Sequence, residues 1–166
     1  MPNINDAAHA TRILKAIVAT WPKQPDGELL AAWQTTIELP GTGMIVIPSC
    51  HCDLCGQSHD DTPRGAVLFS DRGHVCRVDL LIVAAGWPWE SHAGALLAAV
   101  EDLYSRSPES IVHRMTFDCH DDCHFEAALA RLGFCPIGAG ASPSGRRSTV
   151  WERLFDPARR AKEADA

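Results

Sequence analysis

The spacing of apolar residues changes near the middle of the chain. Residues 80–84 are continuously apolar, as expected of a β-strand that is covered on both faces. Gly86 and Pro88 then interrupt the strand, and Ser91 is a candidate N-cap for a following helix. The helical spacing is carried by Leu96, Leu97, Val100, Leu103 and Tyr104. This stretch therefore predicts a strand from Val75, a tight turn and an amphipathic helix.

Two helices and two short strands are predicted before this central unit. Asn5 or Asp6 can cap the first helix, whose buried stripe comprises Ile13, Leu14, Ile17, Val18 and Trp21. Asp26 can cap the second helix, in which Leu29, Trp33 and Ile37 recur at spacing four. The strands cover residues 44–47 and 66–69, and a hairpin turn at residues 70–73 leads into the central strand.

Beyond the central helix the pattern predicts a strand, a helix and two further strands. Residues 111–117 alternate, with Ile111, Met115 and Phe117 on one face. Because a helix precedes this strand, we expect it to run parallel to the central strand. A helix follows over residues 119–132, with Phe125, Ala128, Leu129 and Leu132 buried. The strands cover residues 134–137 and 149–155, and a flexible loop joins them.

Together these elements predict an α/β fold with a mixed central sheet flanked by helices. The length of 166 residues favours one domain. We assign it residues 1–155 and interpret residues 156–166 as a polar C-terminal tail.

Composition narrows the class of protein. Hydrophobic residues make up 46% of the chain and charged residues 22%, which is ordinary for a globular protein. No apolar run approaches the ~20 residues that span a bilayer, and no signal peptide is evident, so a cytoplasmic location is the default expectation. A net charge of −6 argues against a surface that coats nucleic acid. Arg146 and Arg147 leave a local nucleic-acid contact open.

Seven cysteines are the unusual feature of the composition. An odd number without a secretory signal argues against a full disulfide framework. Cys52 and Cys55 are two residues apart and precede Gly56, which is the pattern of a zinc knuckle. Cys50 and His59 are further candidate ligands nearby, and a second cluster comprises Cys119, His120, Cys123 and His124.

In the second cluster the two cysteines are four residues apart, and so are the two histidines. At the start of a helix this spacing places the members of each pair on one face. Zinc takes four such ligands in a structural site, so we expect Cys52, Cys55 and two members of the second cluster to bind it. Iron in place of zinc, a redox pair at Cys52 and Cys55, and a set of free thiols remain open. Cys76 and Cys135, both in predicted strands, are expected to be buried.

Several segments, in order, resemble the GNAT acetyltransferase superfamily. They are V-D-L-L-I-V-A at residues 78–84, H-A-G-A-L-L at 92–97, F-E-A-A-L-A-R-L-G-F at 125–134, C-P-I-G at 135–138 and T-V-W-E-R-L at 149–154. The resemblance covers roughly residues 44–155. It implies that acetyl-CoA is a cofactor and that an amine, on a small molecule or a protein, is the substrate.

The resemblance also implies roles for individual residues. Acetyl-CoA would contact Val83, Ala84, His92, Ala93, Gly94 and Ala95. Asp79 and Asp118 are candidate general bases. In such a topology the two Cys/His clusters would lie at the same edge of the sheet, which supports one shared metal site.

The chain departs from the superfamily pattern at three positions. Trp89 stands where a basic or amide residue is usual, His92 replaces the first glycine, and Leu129 replaces a frequent tyrosine. Two functions therefore stay open. One is an acetyl-CoA-dependent N-acetyltransferase with a structural zinc, and the other is a non-catalytic zinc-binding module that recognises a protein or nucleic acid. A catalytic open metal site is a third hypothesis, and the chain could be a homodimer.

Overall fold

The computed structural model of the chain describes residues 3–4, 6–23, 25, 27–49, 62–107, 109–120, 125–141 and 147–155. The elements are β1 (Asn3–Ile4), α1 (Ala7–Ala19), α2 (Gly27–Ile37), β2 (Thr42–Ile47), β3 (Gly65–Arg72), β4 (Val75–Val83), α3 (Trp89–Ser105), β5 (Arg114–His120), α4 (Glu126–Arg131), β6 (Cys135–Ala141) and β7 (Arg147–Leu154). The strands form a mixed sheet in the order β1-β2-β3-β4-β5-β7-β6. The predicted α/β class with a mixed sheet and flanking helices is confirmed.

Chain contacts define two compact units, and the first comprises Met1–Phe69 and Leu80–Ala99. Its core is built around the predicted stripe of α1, where Ile13, Leu14, Ile17 and Val18 are buried. This stripe packs against strand residues that include Met44, Leu68 and Ile82. The N-cap of α1 is Asp6, whose carboxylate accepts hydrogen bonds from the backbone N–H groups of Ala8 and His9.

The second unit comprises Ser70–Asp79 and Val100–Ala166. Residues Val75–Val78 of β4 pair in parallel with Arg114–Phe117 of β5, as the crossover through a helix predicts. Strand β7 pairs antiparallel with both β5 and β6, and the β6 register shifts between Pro136 and Gly138. The second unit therefore contains the N-terminal part of β4, the C-terminal part of α3 and strands β5, β6 and β7.

Helix α3 begins earlier than predicted. Its first residue is Trp89, so Pro88, not Ser91, is the residue before the helix, and the fixed φ of proline suits a helix start. The buried face contains Ala93, Leu96, Leu97, Val100 and Glu101. Leu103, which was expected in this stripe, is 38% exposed because it lies at the edge of this face, near the C-terminal end of the helix.

Cys119 and His120 extend strand β5 and do not begin a helix. They pair with Thr149 and Ser148 of β7, and α4 starts only at Glu126. The prediction of a helix from residue 119 is therefore wrong at its N-terminal end. Phe125, which was expected to be buried, is exposed.

Strand β6 runs further than its glycines suggested. The predicted loop from Gly138 onward is instead strand as far as Ala141, since β7 provides partners for its backbone. Strand β6 is at the end of the strand order, and Cys135 is exposed there, against the prediction. Cys76 is buried, as predicted. Ile111 lies before β5 and is exposed.

Candidate cofactor-binding turn and carboxylate cluster

The C-terminal end of β4 is held by side chains and backbone from elsewhere in the first unit. The indole Nε1 of Trp21 donates a hydrogen bond to the carbonyl oxygen of Val83 at 2.9 Å. The backbone N–H of Ala85 donates to the hydroxyl of Thr20 at 2.8 Å. The N–H of Ala84 donates to the carbonyl of Arg64, also at 2.8 Å. These bonds fix the point at which the chain leaves the sheet.

The chain then turns through a segment in which only glycine fits easily. Gly86 has φ +86°, a conformation that costs other residues energy because of their Cβ atom. The N–H of Trp87 donates to the carbonyl of Ala84 at 3.3 Å and closes the turn. The guanidinium carbon of Arg64 lies 4.1 Å from the centre of the Trp87 ring, a cation–π contact. The turn thus carries one positive charge on an aromatic surface.

Helix α3 starts immediately after this turn. The N–H of His92 donates to the carbonyl of Pro88, and His92 Nδ1 is 3.0 Å from the same oxygen. The hydroxyl of Ser91 also lies near this ring nitrogen, with its oxygen 3.3 Å from Nδ1. The imidazole also packs against Trp87, with ring centres 5.5 Å apart. The side chain of His92 is therefore directed back towards the start of its own helix.

The candidate cofactor residues separate into two groups in the structure. Val83 ends β4, whereas Ala84, which the apolar run predicted as strand, lies just beyond it. His92, Ala93, Gly94 and Ala95 lie within α3 and not in the tight turn that precedes it. Ala93 is completely buried. The turn is made by residues 84–88, and the helix start that follows offers backbone N–H groups of the type that suit an anion.

Asp79 and Asp118 meet in the second unit through a shared arginine. Arg77 Nε lies 3.2 Å from Asp79 Oδ1, and Arg77 Nη2 lies 3.2 Å from Asp118 Oδ2. The Asp79 side chain is only 10% exposed, whereas that of Asp118 is 37% exposed. Desolvation raises the pKa of Asp79 above its ordinary value, although the charge of Arg77 opposes the shift. One buried carboxylate with increased proton affinity thus lies beside a more exposed one.

Most of the candidate metal ligands fall outside the described residues. These are Cys50, Cys52, Cys55, His59, Cys123 and His124. His120 ends β5, and Cys119 is buried and disulfide-bonded. Neither Cys76 nor Cys135 is its partner, since both are free thiols. Within the part of the chain that the structure describes, no group of three metal-binding side chains is found.

Sequence reasoning missed three residues at the turn, namely Thr20, Trp21 and Arg64. Trp21 was assigned only to the stripe of the first helix, and Arg64 lay in a polar segment without periodicity. Their partners at residues 83–87 are about 20 or more positions away along the chain, so no local pattern could reveal the contacts.

Comparison with known proteins identifies the fold. No protein-family model matches the sequence, and no curated protein matches it as a relative. Solved structures do match the structure. An aminoglycoside 6′-N-acetyltransferase from Enterococcus faecium has a TM-score of 0.65 and 11% identity, and the match covers 95% of this chain and 98% of that one.

Two further solved structures show the same similarity. The ribosomal-protein-S18-alanine N-acetyltransferase from Escherichia coli has a TM-score of 0.61 at 8% identity, over 93% of this chain and 94% of that one. PaiA N-acetyltransferase from Thermoplasma acidophilum, in complex with coenzyme A, has a TM-score of 0.58 at 10% identity, over 93% and 98%. The chain therefore has the fold of the GNAT N-acetyltransferases.

Two further findings concern the side chain at position 129 and the lengths of the helices. Leu129 is buried in α4 and carries no group that could donate a proton. None of the helices in the described ranges is sufficiently long and apolar to cross a membrane.

Proposed function

We propose that this chain transfers the acetyl group of acetyl-CoA to an amine. The observation that carries the proposal is the GNAT fold, which the chain shares with acetyltransferases over more than nine-tenths of its length. The strand β4, the turn after it and helix α3 supply the element at which the cofactor would bind. The amine would be carried by a small molecule or a protein, since the similar structures include enzymes named for both kinds of substrate.

The residues at the turn fit a phosphate-bearing cofactor in part. Arg64 provides a cation there, and the N-terminus of a 17-residue helix favours negative charge. The carbonyl of Val83 already accepts one hydrogen bond from Trp21, but a carbonyl oxygen can accept a second one from a ligand. When bound, acetyl-CoA would supply an acetyl thioester that is activated for attack.

In the proposed reaction the attacking amine must lose a proton. Asp79 suits this role, because burial has raised the proton affinity of its carboxylate. Arg77 holds Asp79 and Asp118 in place, and the more exposed Asp118 could bind the protonated amine before it reacts. Leu129 cannot protonate the departing thiolate, so that proton would come from another donor.

Isothermal titration of the purified protein with acetyl-CoA tests the proposal. We expect one-to-one binding near micromolar Kd, which corresponds to about −8 kcal/mol. Among amine substrates that are turned over, Asp79→Asn should lower kcat by roughly a hundredfold with little change in acetyl-CoA affinity. Asp71→Asn, which removes an exposed carboxylate of the same unit, is the matched control. No binding at millimolar acetyl-CoA would refute the proposal.

A non-catalytic binding module is the second candidate, and the start of α3 favours it. Pro88 has no backbone N–H to offer a phosphate, and Glu90 places a negative charge in the first turn of the helix. In this case the fold would recognise a protein or nucleic acid without using a cofactor. Failure to bind acetyl-CoA, together with retention of a macromolecular partner by affinity chromatography, would support this candidate.

We also propose a structural zinc site formed by Cys52, Cys55 and members of the cluster at residues 119–124. Cys119 would have to be reduced, because a disulfide sulfur cannot serve as a thiolate ligand. Elemental analysis of protein purified under reducing conditions should find one zinc per chain, and Cys52→Ser should remove it. Metal-free protein with an unchanged unfolding temperature would exclude the site.

A further inference from the structure

Arg64 is positioned by its backbone independently of its side chain. Its N–H donates to the carbonyl of Ile47 at 3.0 Å, and its carbonyl accepts from Ala84 at 2.8 Å. The residue therefore lies between the end of β2 and the end of β4. Its side chain is free to serve another purpose, since the local fold is secured by the main chain.

Among the described residues, the side chain of Arg64 has an aromatic contact and no acidic one. Its guanidinium lies over Trp87 at 4.1 Å. None of the ion pairs among the described residues includes Arg64. Its Nε is buried and has no hydrogen-bond partner in that part of the chain. Because none of these contacts neutralises its charge, the guanidinium of Arg64 is a candidate for binding an external anion.

The cation–π contact with Trp87 indicates which kind of hydrogen-bond acceptor the Arg64 side chain would bind. The guanidinium carbon of Arg64 lies above this ring, and the planar fork of N–H groups in an arginine can reach two oxygens of one anion. The indole ring is itself held in position, because its backbone closes the Gly86 turn and its face contacts His92. This arrangement suits a phosphate group.

We propose that Arg64, oriented by Trp87, binds a phosphate of the cofactor and is the cationic residue that the turn itself lacks. The proposal rests on the proposed function, in which the ligand is acetyl-CoA. It assigns a binding role to a residue at the start of β3, outside the β4–α3 segment. It also gives Trp87 the role of a positioning residue that acts through Arg64.

The test compares two thioesters by isothermal titration. One is acetyl-CoA, and the other is S-acetylpantetheine, which carries no nucleotide phosphate. Arg64→Gln should weaken acetyl-CoA binding about tenfold or more, the loss expected for a charge-assisted hydrogen bond, and should leave S-acetylpantetheine binding unchanged. Arg64→Lys keeps the charge without the planar fork, so its affinity for acetyl-CoA should lie between those of the wild type and Arg64→Gln. Arg12→Gln, an exposed arginine on α1, is the matched control.

Fluorescence gives an independent measurement of the role of Trp87. Acetyl-CoA should change the tryptophan emission of the wild type. Of the five tryptophans in the chain, Trp87 should account for most of this change, so Trp87→Phe should show little of it. Thermal unfolding of each variant shows whether it is folded. Since the backbone of Arg64 makes the structural bonds, we expect Arg64→Gln to unfold within a few degrees of the wild type.

The outcomes separate this inference from the proposed function. If the wild type binds acetyl-CoA and Arg64→Gln binds it equally well, the role of Arg64 is refuted and the transferase proposal stands. If the wild type does not bind acetyl-CoA, the transferase proposal fails, and inorganic pyrophosphate becomes the probe. Pyrophosphate binding that Arg64→Gln abolishes would then support the anion-binding pair, whereas no pyrophosphate binding by the wild type would refute it.

Discussion

The indole of Trp21 donates a hydrogen bond to the carbonyl oxygen of Val83, 62 positions further along the chain, at 2.9 Å. The preceding residue, Thr20, accepts a hydrogen bond from Ala85. Two consecutive residues after α1 therefore hold the end of β4, where the chain leaves the sheet. The position of the candidate cofactor turn depends on these two contacts.

Trp21→Phe should destabilise the protein by about 1 kcal/mol, the usual net contribution of one hydrogen bond. The phenyl ring cannot donate this hydrogen bond, and the Trp33→Phe control accounts for the ring volume that is lost with it. Urea unfolding measures the change. Trp33→Phe is the matched control because Trp33 packs against the same core. A loss for Trp21→Phe no larger than that for Trp33→Phe would contradict the prediction.

Arg153→Met should destabilise the protein by about 3 kcal/mol. Glu101 is completely buried, and its carboxylate accepts a hydrogen bond from Arg153 at 2.9 Å. Removal of the cation leaves the buried carboxylate without this compensating charge, which is costly.

Glu101→Gln separates the charge from the hydrogen bond in this pair. Because the amide oxygen can still accept a hydrogen bond from Arg153, we expect Glu101→Gln to lower the free energy of unfolding by less than Arg153→Met does. Arg147→Met, at an exposed position on the same strand, should change the free energy of unfolding by less than about 0.5 kcal/mol. Similar losses for Arg153→Met and Arg147→Met would show that the ion pair is not important for stability.

Asp79 should make the stability of the protein depend on pH. Desolvation raises its pKa in the folded protein above the ordinary 3.8. The stability that this group contributes is fully present below pH 3.8 and is lost as the pH rises through the higher folded-state pKa. Asp79→Asn cannot lose a proton, so its stability relative to the wild type should increase across this window.

Urea unfolding of the wild type and Asp79→Asn from pH 3.5 to pH 7 measures this difference. Asp71→Asn shows how much of the change comes from net charge alone, since Asp71 is exposed. A stability difference between Asp79→Asn and the wild type that is constant with pH would mean that Asp79 is not desolvated.

Cys76 and Cys135, the free cysteines among the described residues, should differ in reactivity. Burial raises the pKa of Cys76 to about 12, mainly through desolvation, and the thiolate is the reactive form. Cys135 is exposed. Brief treatment of the native protein with iodoacetamide, followed by mass spectrometry, should find Cys135 modified and Cys76 unmodified. Modification of both in urea is the control, and early labelling of Cys76 in the native protein would contradict its burial.

Gly65→Ala should destabilise the protein by roughly 1–3 kcal/mol. A Cβ at this position would lie 2.9 Å from the carbonyl oxygen of Ile82 and 3.3 Å from Leu96 Cδ1. Gly27→Ala is the matched control, because nothing lies within 4 Å of its Cβ. Thermal unfolding should show a loss for the first variant and none for the second. Equal unfolding temperatures would mean that β3 and β4 separate easily at this point.

Local patterns in the sequence determined the order and type of most elements. Alternation and helical spacing act over a few residues, and they correctly predict the helical stripe of α1, its Asp6 cap and the strand–turn–helix unit from Val75. The parallel pairing of β4 with β5 also follows from local information, because a helix joins the two strands.

The tertiary structure decided which residues meet. Cys119 and His120 could locally continue a strand or begin a helix, and pairing with β7 selects the strand. The contacts of Trp21, Arg64 and Arg153 join residues that are distant in the sequence, and such contacts leave no periodic pattern. Asp79 and Asp118 could be named as candidates from the sequence. Their shared arginine and the burial of Asp79 depend on strand pairing, since only adjacent strands bring the three side chains together.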